Sequence, residues 1–178
     1  MADTQRNLAA LLLLAPDQTT GDVSPQDLRD MLVSLLGGFG NIFTNDGVTA
    51  QSITGGAAAV KMTGFVGNGP ASGCTADKAN NKLVANLTGK YMVVFQCSFS
   101  GSANITFQFH VRNGGAEITS LGCERKLGAG GDIGSCSIVG IGDFTAAQDI
   151  EVYVECDGVG AQSITPKQLS LAIKYIGN

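Results

Sequence analysis

A chain of 178 residues with 44% hydrophobic and 15% charged residues is long enough to bury a core and too apolar to stay disordered. Its formal net charge of -4 excludes the basic footprint of a nucleic-acid binder. No basic amphipathic stretch marks a membrane surface, and the low charge implies that part of the surface is covered, most simply by subunit contacts.

Residues 7–15 read NLAALLLLA. The run is far shorter than the ~20 residues needed to cross a bilayer. Asp3 and a lone Arg6 precede it, and no small-residue cleavage site follows, so it does not read as a leader. It is expected to form a buried arm or short helix. An apolar octet of this kind needs a surface: its own domain, a sister subunit or another protein.

Ser24-Pro25-Gln26-Asp27 opens the clearest helix. Ser24 can cap the free N–H groups, Pro25 suits the first helical position, and Asp27 favours the positive end. Leu28, Met31, Leu32, Leu35 and Leu36 follow at helical spacing as one apolar stripe. Gly37-Gly38 ends the helix. About three turns are too few to stand alone in water, so the stripe must pack against something.

After Gly38 the pattern changes to strands. The 25 glycines, with four prolines and no collagen period, read as turns and bulges. Residues 41–54 mix polar and apolar side chains around the turn signal Asn45-Asp46-Gly47. Tyr91, Val93, Phe95, Cys97 and Phe99 alternate with Met92, Val94, Gln96 and Ser98. Ile105, Phe107, Phe109 and Val111 alternate with Thr106, Gln108, His110 and Arg112. Ser100-Gly101-Ser102 is expected to join these runs as a hairpin-like turn, and Asn113-Gly114-Gly115 to turn the second into a third. Further runs cover residues 116–127, 133–141, 150–156 and 169–176, with weaker ones at 60–66 and 82–87. About eight strands at this spacing predict a mostly β, antiparallel two-sheet sandwich or jelly roll with a short N-terminal helical extension. Residues 1–45 are read as an attachment or trimerisation arm, and residues 46–178 as the sandwich.

Catalytic and metal-binding patterns are weak. The chain has Cys74, Cys97, Cys123, Cys136 and Cys156 but no C-x-x-C pair, and His110 is the only histidine, so paired zinc ligands are missing. The odd, widely spaced cysteines read as buried thiols in a reduced compartment, with a Cys123–Cys136 disulfide as the alternative. His110 lies opposite the core side of its strand, where a surface or interface role is expected. No carboxylate and nucleophile can be assembled with it into a triad. Residues 128–132, GAGGD, lack the Lys-Ser/Thr end of a phosphate loop and read as a long hairpin turn. Asp143, Asp149, Glu151, Glu155 and Asp157 lack calcium-loop spacing and read as a solvated, edge-protecting strand. Asn86-Leu87-Thr88 and Asn104-Ile105-Thr106 match the glycosylation pattern but have no secretory signal to support them. A paired-carboxylate glycosidase is the remaining enzymatic alternative, and no separable pair supports it. No cofactor is expected.

The segment LTGKYMVVFQCSF at 87–99 resembles the "G-x-Y-x-V-x-F-x-x-x-F" strand of the trimeric jelly roll shared by the tumour necrosis factor and complement globular-head superfamily. FQFHVRNG at 107–114 and AQDIEVYV at 147–154 continue the resemblance, with Gln148 where that superfamily usually has Gly. The closing LSLAIKYI at 169–176 departs from the animal Phe-Ser-Gly ending and is more similar to viral and phage versions. Residues 20–35, TGDVSPQDLRDMLVSL, resemble a segment recurrent near the start of bacteriophage virion proteins. Together these resemblances imply a homotrimeric phage structural protein of the virion, assembled in the host cytoplasm. The implied role is capsid decoration or cement, with the major capsid protein as partner. The alternative is a tail or head fibre tip whose loops, 128–132 or 157–162, touch a host surface ligand; the absence of Trp and the presence of only three Tyr count against sugar stacking there. Leu11, Leu12, Leu13 and Leu14, with Leu28, Met31, Leu32 and Leu35, are the candidate capsid or trimer contacts. Burial in the chain's own core is the alternative for each.

Overall fold

The computed structural model describes residues 24–26, 29, 31 and 37–177. Positions 25, 26, 29 and 31 are helical, in keeping with the capped start at Ser24. Twelve strands follow: β1 Phe39–Thr44, β2 Gln51–Gly55, β3 Val60–Lys61, β4 Gly67–Asn68, β5 Cys74–Asp77, β6 Lys82–Ala85, β7 Gly89–Gly101, β8 Thr106–Asn113, β9 Ala116–Lys126, β10 Gly134–Phe144, β11 Asp149–Cys156 and β12 Gly160–Gly177.

The strands form two antiparallel sheets. The first runs β10-β7-β12-β1-β4, with β2 also on β12, and the second runs β5-β6-β11-β8-β9, with β3 also on β11. The architecture is the jelly-roll sandwich that the strand pattern predicts. It begins at Phe39: β1 pairs with β12 along its whole length and Ile42 is fully buried. The sandwich thus takes in the last residues of the 1–45 segment.

The period-2 alternation of β7 and β8 builds the core. Tyr91, Val93, Phe95, Cys97 and Phe99 point inward from the first sheet, and Phe107, Phe109 and Val111 from the second. Their rings meet across the gap, with Phe95–Phe109 at 5.8 Å, Phe99–Phe107 at 5.5 Å and Phe99–Phe109 at 5.2 Å between centroids. Such edge and tilted contacts add to the burial of large apolar side chains.

These facing rings explain one correction. Residues 100–102 do not close a hairpin. β7 already has β10 and β12 on its two sides, so the chain arches over to the second sheet and β8 packs against β7 face to face. The same holds for residues 128–132, which carry the chain from β9 in the second sheet to β10 in the first. By contrast, residues 113–115 do make the expected hairpin between β8 and β9. Gly114 and Gly115 both have positive φ, 54° and 89°, as a two-residue turn requires.

The β9–β10 side is where the two sheets pinch together. A Cβ on Gly140 would collide with Leu121 Cδ2, and one on Gly134 would lie 2.7 Å from Leu127 Cδ2, so a larger residue at either position would force these leucines to shift. Cys123 of β9 and Cys136 of β10 form a disulfide there, with Cα atoms 6.4 Å apart. This corrects the five-thiol reading: Cys74, Cys97 and Cys156 are free and buried, while the other two staple sheet to sheet.

Candidate functional site

The sandwich has two outer faces, and each collects the side chains that alternate with the core. On the second sheet these side chains are charged and mutually paired. His110 on β8 lies between two carboxylates, Nδ1 3.3 Å from Glu117 Oε1 and Nε2 3.3 Å from Glu155 Oε1, the latter without hydrogen-bond geometry. Arg112 stacks 4.3 Å above the Tyr153 ring. Lys61 pairs with the buried Glu151, and Lys82 Nζ lies 2.9 Å from Asp149. The hydrogen bond to Asp149 is the main reason that the Lys82 ammonium is held above its ordinary range. Asp157 accepts the Thr106 N–H at 2.8 Å, and this contact holds its carboxyl below the usual range.

The acidic stretch therefore is not an edge strand. β11 sits between β6 and β8, and its Asp149 and Glu151 carboxylates pair with Lys82 and Lys61, which are distant in sequence. Among the described residues no three His, Cys, Asp or Glu side chains converge as metal ligands. Both His110 nitrogens face carboxylates, which leaves neither to activate a nucleophile. In the 128–132 loop, Asp132 Oδ2 accepts the Gly128 N–H at 2.8 Å and pairs with Arg125 at 3.3 Å. The Asp132 carboxylate thus sits inside the loop, where a phosphate would meet its negative charge.

The outer face of the first sheet is built differently. Strand register sets its side chains in rows across β10, β7, β12 and β1. One row is Ile141, Met92, Lys174 and Phe39; the next is Val139, Val94, Ala172 and Asn41. Val139 is 67% exposed and Ile141 57% exposed, with Met92, Phe39 and Ile176 also open to solvent. Two polar rows follow: Ser137, Gln96, Ser170 and Phe43, then Ser135, Ser98 and Gln168. These rows line a groove of about 900 Å³. Its floor has hydroxyls, amides and a half-buried ring, and Glu124 is the lone charged side chain along it.

Of the predicted contact residues, Met31 is described and is 38% exposed. Leu11, Leu12, Leu13, Leu14, Leu28, Leu32 and Leu35 lie outside the described residues. The first sheet's outer face was missed as a site. Its signal was present in β7, where the outward residues Met92, Val94, Gln96 and Ser98 carry no charge.

No family model matches the chain, and no curated protein matches it. Solved structures do. The structure of Eiger TNF from S. frugiperda aligns with a TM-score of 0.54 at 14% identity, covering 79% of this chain and 94% of that one. The crystal structure of murine APRIL at pH 5.0 aligns with a TM-score of 0.54 at 16% identity, covering 79% of this chain and 99% of that one. At this identity the likeness is one of fold: the strands are arranged as in tumour-necrosis-factor-type jelly rolls.

Proposed function

We propose that this chain is the subunit of a self-associating structural module, and that it works as a trimeric capsid decoration protein of a bacteriophage. The observation that carries self-association is the set of exposed apolar side chains on the outer face of the first sheet, beside Lys174 and the Lys90–Asp143 pair. Val139, Ile141, Met92, Phe39 and Ile176 form exposed apolar rows there. Leaving such side chains in water forfeits about 25 cal/mol per Å² of apolar surface. Charge is depleted at the cores of protein interfaces, and the row of Val139, Val94, Ala172 and Asn41 follows that rule.

The trimeric number rests on the sequence resemblance at residues 87–99, with the fold likeness in agreement. The phage setting rests on the resemblance of residues 20–35. In this reading residues 1–38, with Leu11, Leu12, Leu13, Leu14, Leu28, Met31, Leu32 and Leu35, grip the major capsid protein. Three linked copies turn modest single contacts into tight attachment. In this reading the role is mechanical.

Light scattering of the isolated protein tests the first half, with a trimer expected and a monomer overturning it. Mixing the protein with capsids that lack it tests the second half. Binding across the shell is expected, and removal of residues 1–38 is expected to abolish attachment while leaving a folded sandwich. Binding to host cells but not to capsids would replace decoration with the fibre-tip reading.

A further inference from the structure

We infer that the polar rows of the first sheet's outer face form a binding site for a neutral oligosaccharide. Four observations carry this beyond the self-association reading, on which it does not depend. The first is unused hydrogen-bonding capacity. Gln96, Ser98, Ser135, Ser137 and Gln168 make no side-chain hydrogen bond to another described residue, whereas Asn41 at the groove's end is already engaged by Ser170 Oγ at 3.0 Å and Leu171 O at 3.1 Å. Each of the two glutamines offers two donors and an acceptor, and each serine offers one donor and two lone pairs.

The second observation is the regular spacing of these groups. Register places Ser137, Gln96 and Ser170 side by side on three neighbouring strands. Adjacent strands lie about 4.8 Å apart, so the row is a ladder of hydroxyl and amide groups at even intervals. A chain of linked sugars is a ligand with polar groups repeated at even intervals on a stiff frame. The third observation is the ring that ends the ladder. Phe43 follows Ser170 across the β12–β1 pair, and one side of its ring lies against Gly67, where a Cβ would come within 2.6–2.9 Å of ring atoms. Gly67 lets the ring lie flat on β4, and a sugar's C–H face can stack on the other side of an aromatic held this way.

The fourth observation is the absence of positive charge. The groove has no Lys, Arg or His along it and carries the Glu124 carboxylate. Phosphate, sulfate and acidic sugars would meet no counter-charge there. An extended peptide is a poor fit too, because peptide addition needs an open strand edge and this is the middle of a sheet face. The volume of about 900 Å³ falls in the range of small-ligand sites. Contacts confined to the apolar rows leave these polar rows open.

Calorimetric titration and saturation-transfer NMR with maltoheptaose and with the N-acetylglucosamine tetramer test the site, with a sialic-acid tetramer as the anionic comparison. At least one neutral probe is expected to bind and the anionic one is not. Ser137→Arg, at an exposed position that leaves the core intact, is expected to weaken binding at least tenfold. Phe43→Leu is expected to do the same by removing the stacking surface, and Glu124→Gln to change affinity less than threefold. Failure of both neutral probes overturns the proposal, as does tighter binding of the anionic probe or full binding by both Ser137→Arg and Phe43→Leu. Ile141→Asp separates the two readings. Saccharide binding by a dissociated Ile141→Asp protein supports the groove as a site within one subunit. Loss of binding on dissociation overturns the site as drawn and leaves self-association standing.

Discussion

The two outer faces of this sandwich come from the same strand grammar and yet differ in chemistry. On the second sheet the outward positions of β8 and β11 carry His110, Arg112, Glu151 and Glu155: Lys61 pairs with Glu151, Arg112 stacks on Tyr153, and His110 lies between Glu117 and Glu155. On the first sheet the outward positions of β7, β10 and β12 carry Met92, Val94, Val139, Ile141 and a set of serines and glutamines, with Lys174 and the Lys90–Asp143 pair towards one end. A face that carries ion pairs such as Lys61–Glu151 and Lys82–Asp149 suits water. A face with apolar rows and unspent hydroxyls suits contact with something else. The fold sets the alternation, and the choice of outward residues decides which face is used.

The strongest way to break this comparison is to put charge on the exposed valine and isoleucine of β10. The double substitution Val139→Asp with Ile141→Asp is expected to convert the proposed trimer wholly to monomer in light scattering. Gln108→Asp on the charged face is expected to leave the proposed trimer intact. Equal effects from the two changes would erase the distinction between the faces.

A second experiment asks what holds the faces in their relative positions. Cys123→Ser is expected to cost about 3 kcal/mol in urea unfolding, because the bridge closes a short loop and joins the sheets at their pinched side. Reductant should lower the unfolding midpoint of the natural protein to the same extent and leave Cys123→Ser unchanged. A smaller effect is expected within the charged face. Glu151→Gln removes the carboxylate that Lys61 faces at a buried position and is expected to cost about 2 kcal/mol. Glu124→Gln, on an exposed side chain, is expected to cost less than about 0.5 kcal/mol.

The smallest effect at neutral pH comes from the thiols beneath both faces. Burial pushes Cys97 in β7 up to about 12 and Cys74 in β5 up to about 11, from an ordinary value of 9.0. The unfolded chain releases these protons first, so their contribution is full below pH 9 and is lost as pH rises toward 11 and 12. The urea midpoint should be flat near neutrality and fall above pH 9, and Cys97→Ala should soften that fall. A midpoint that rises with alkali would contradict the burial argument.

The core was legible because alternation is a local signal. The inward residues of β7 and β8 could be named from spacing alone, and the turn at 113–115 from its two glycines. Pairing was less legible, since it depends on which strand flanks are already taken. Residues 100–102 look like a hairpin until β10 and β12 occupy both sides of β7. β11 looks like an edge because its carboxylates seem unpaired, and their partners Lys61, Lys82 and His110 lie far away in sequence. β1 and β2 were hidden by their short length and mixed polarity. The disulfide stayed open because cysteine spacing does not tell which edges of two sheets converge. The candidate site was visible only as missing charge, which a search for reactive residues passes over.

One detail of the first strand has a mechanical meaning. The chain enters the sandwich beside its far end, where the Tyr175 N–H donates to Gly38 O at 2.6 Å. From there all six residues of β1 stay in register with β12, from Phe39 opposite Lys174 to Thr44 opposite Leu169. Antiparallel hydrogen bonds lie across the strands, so tension transmitted through residue 37 along β1 strains the whole ladder at once. The bonds then yield together in shear instead of opening one by one like a zip. A module moored by its N-terminal side is thereby fastened through a strand that resists being drawn out lengthwise.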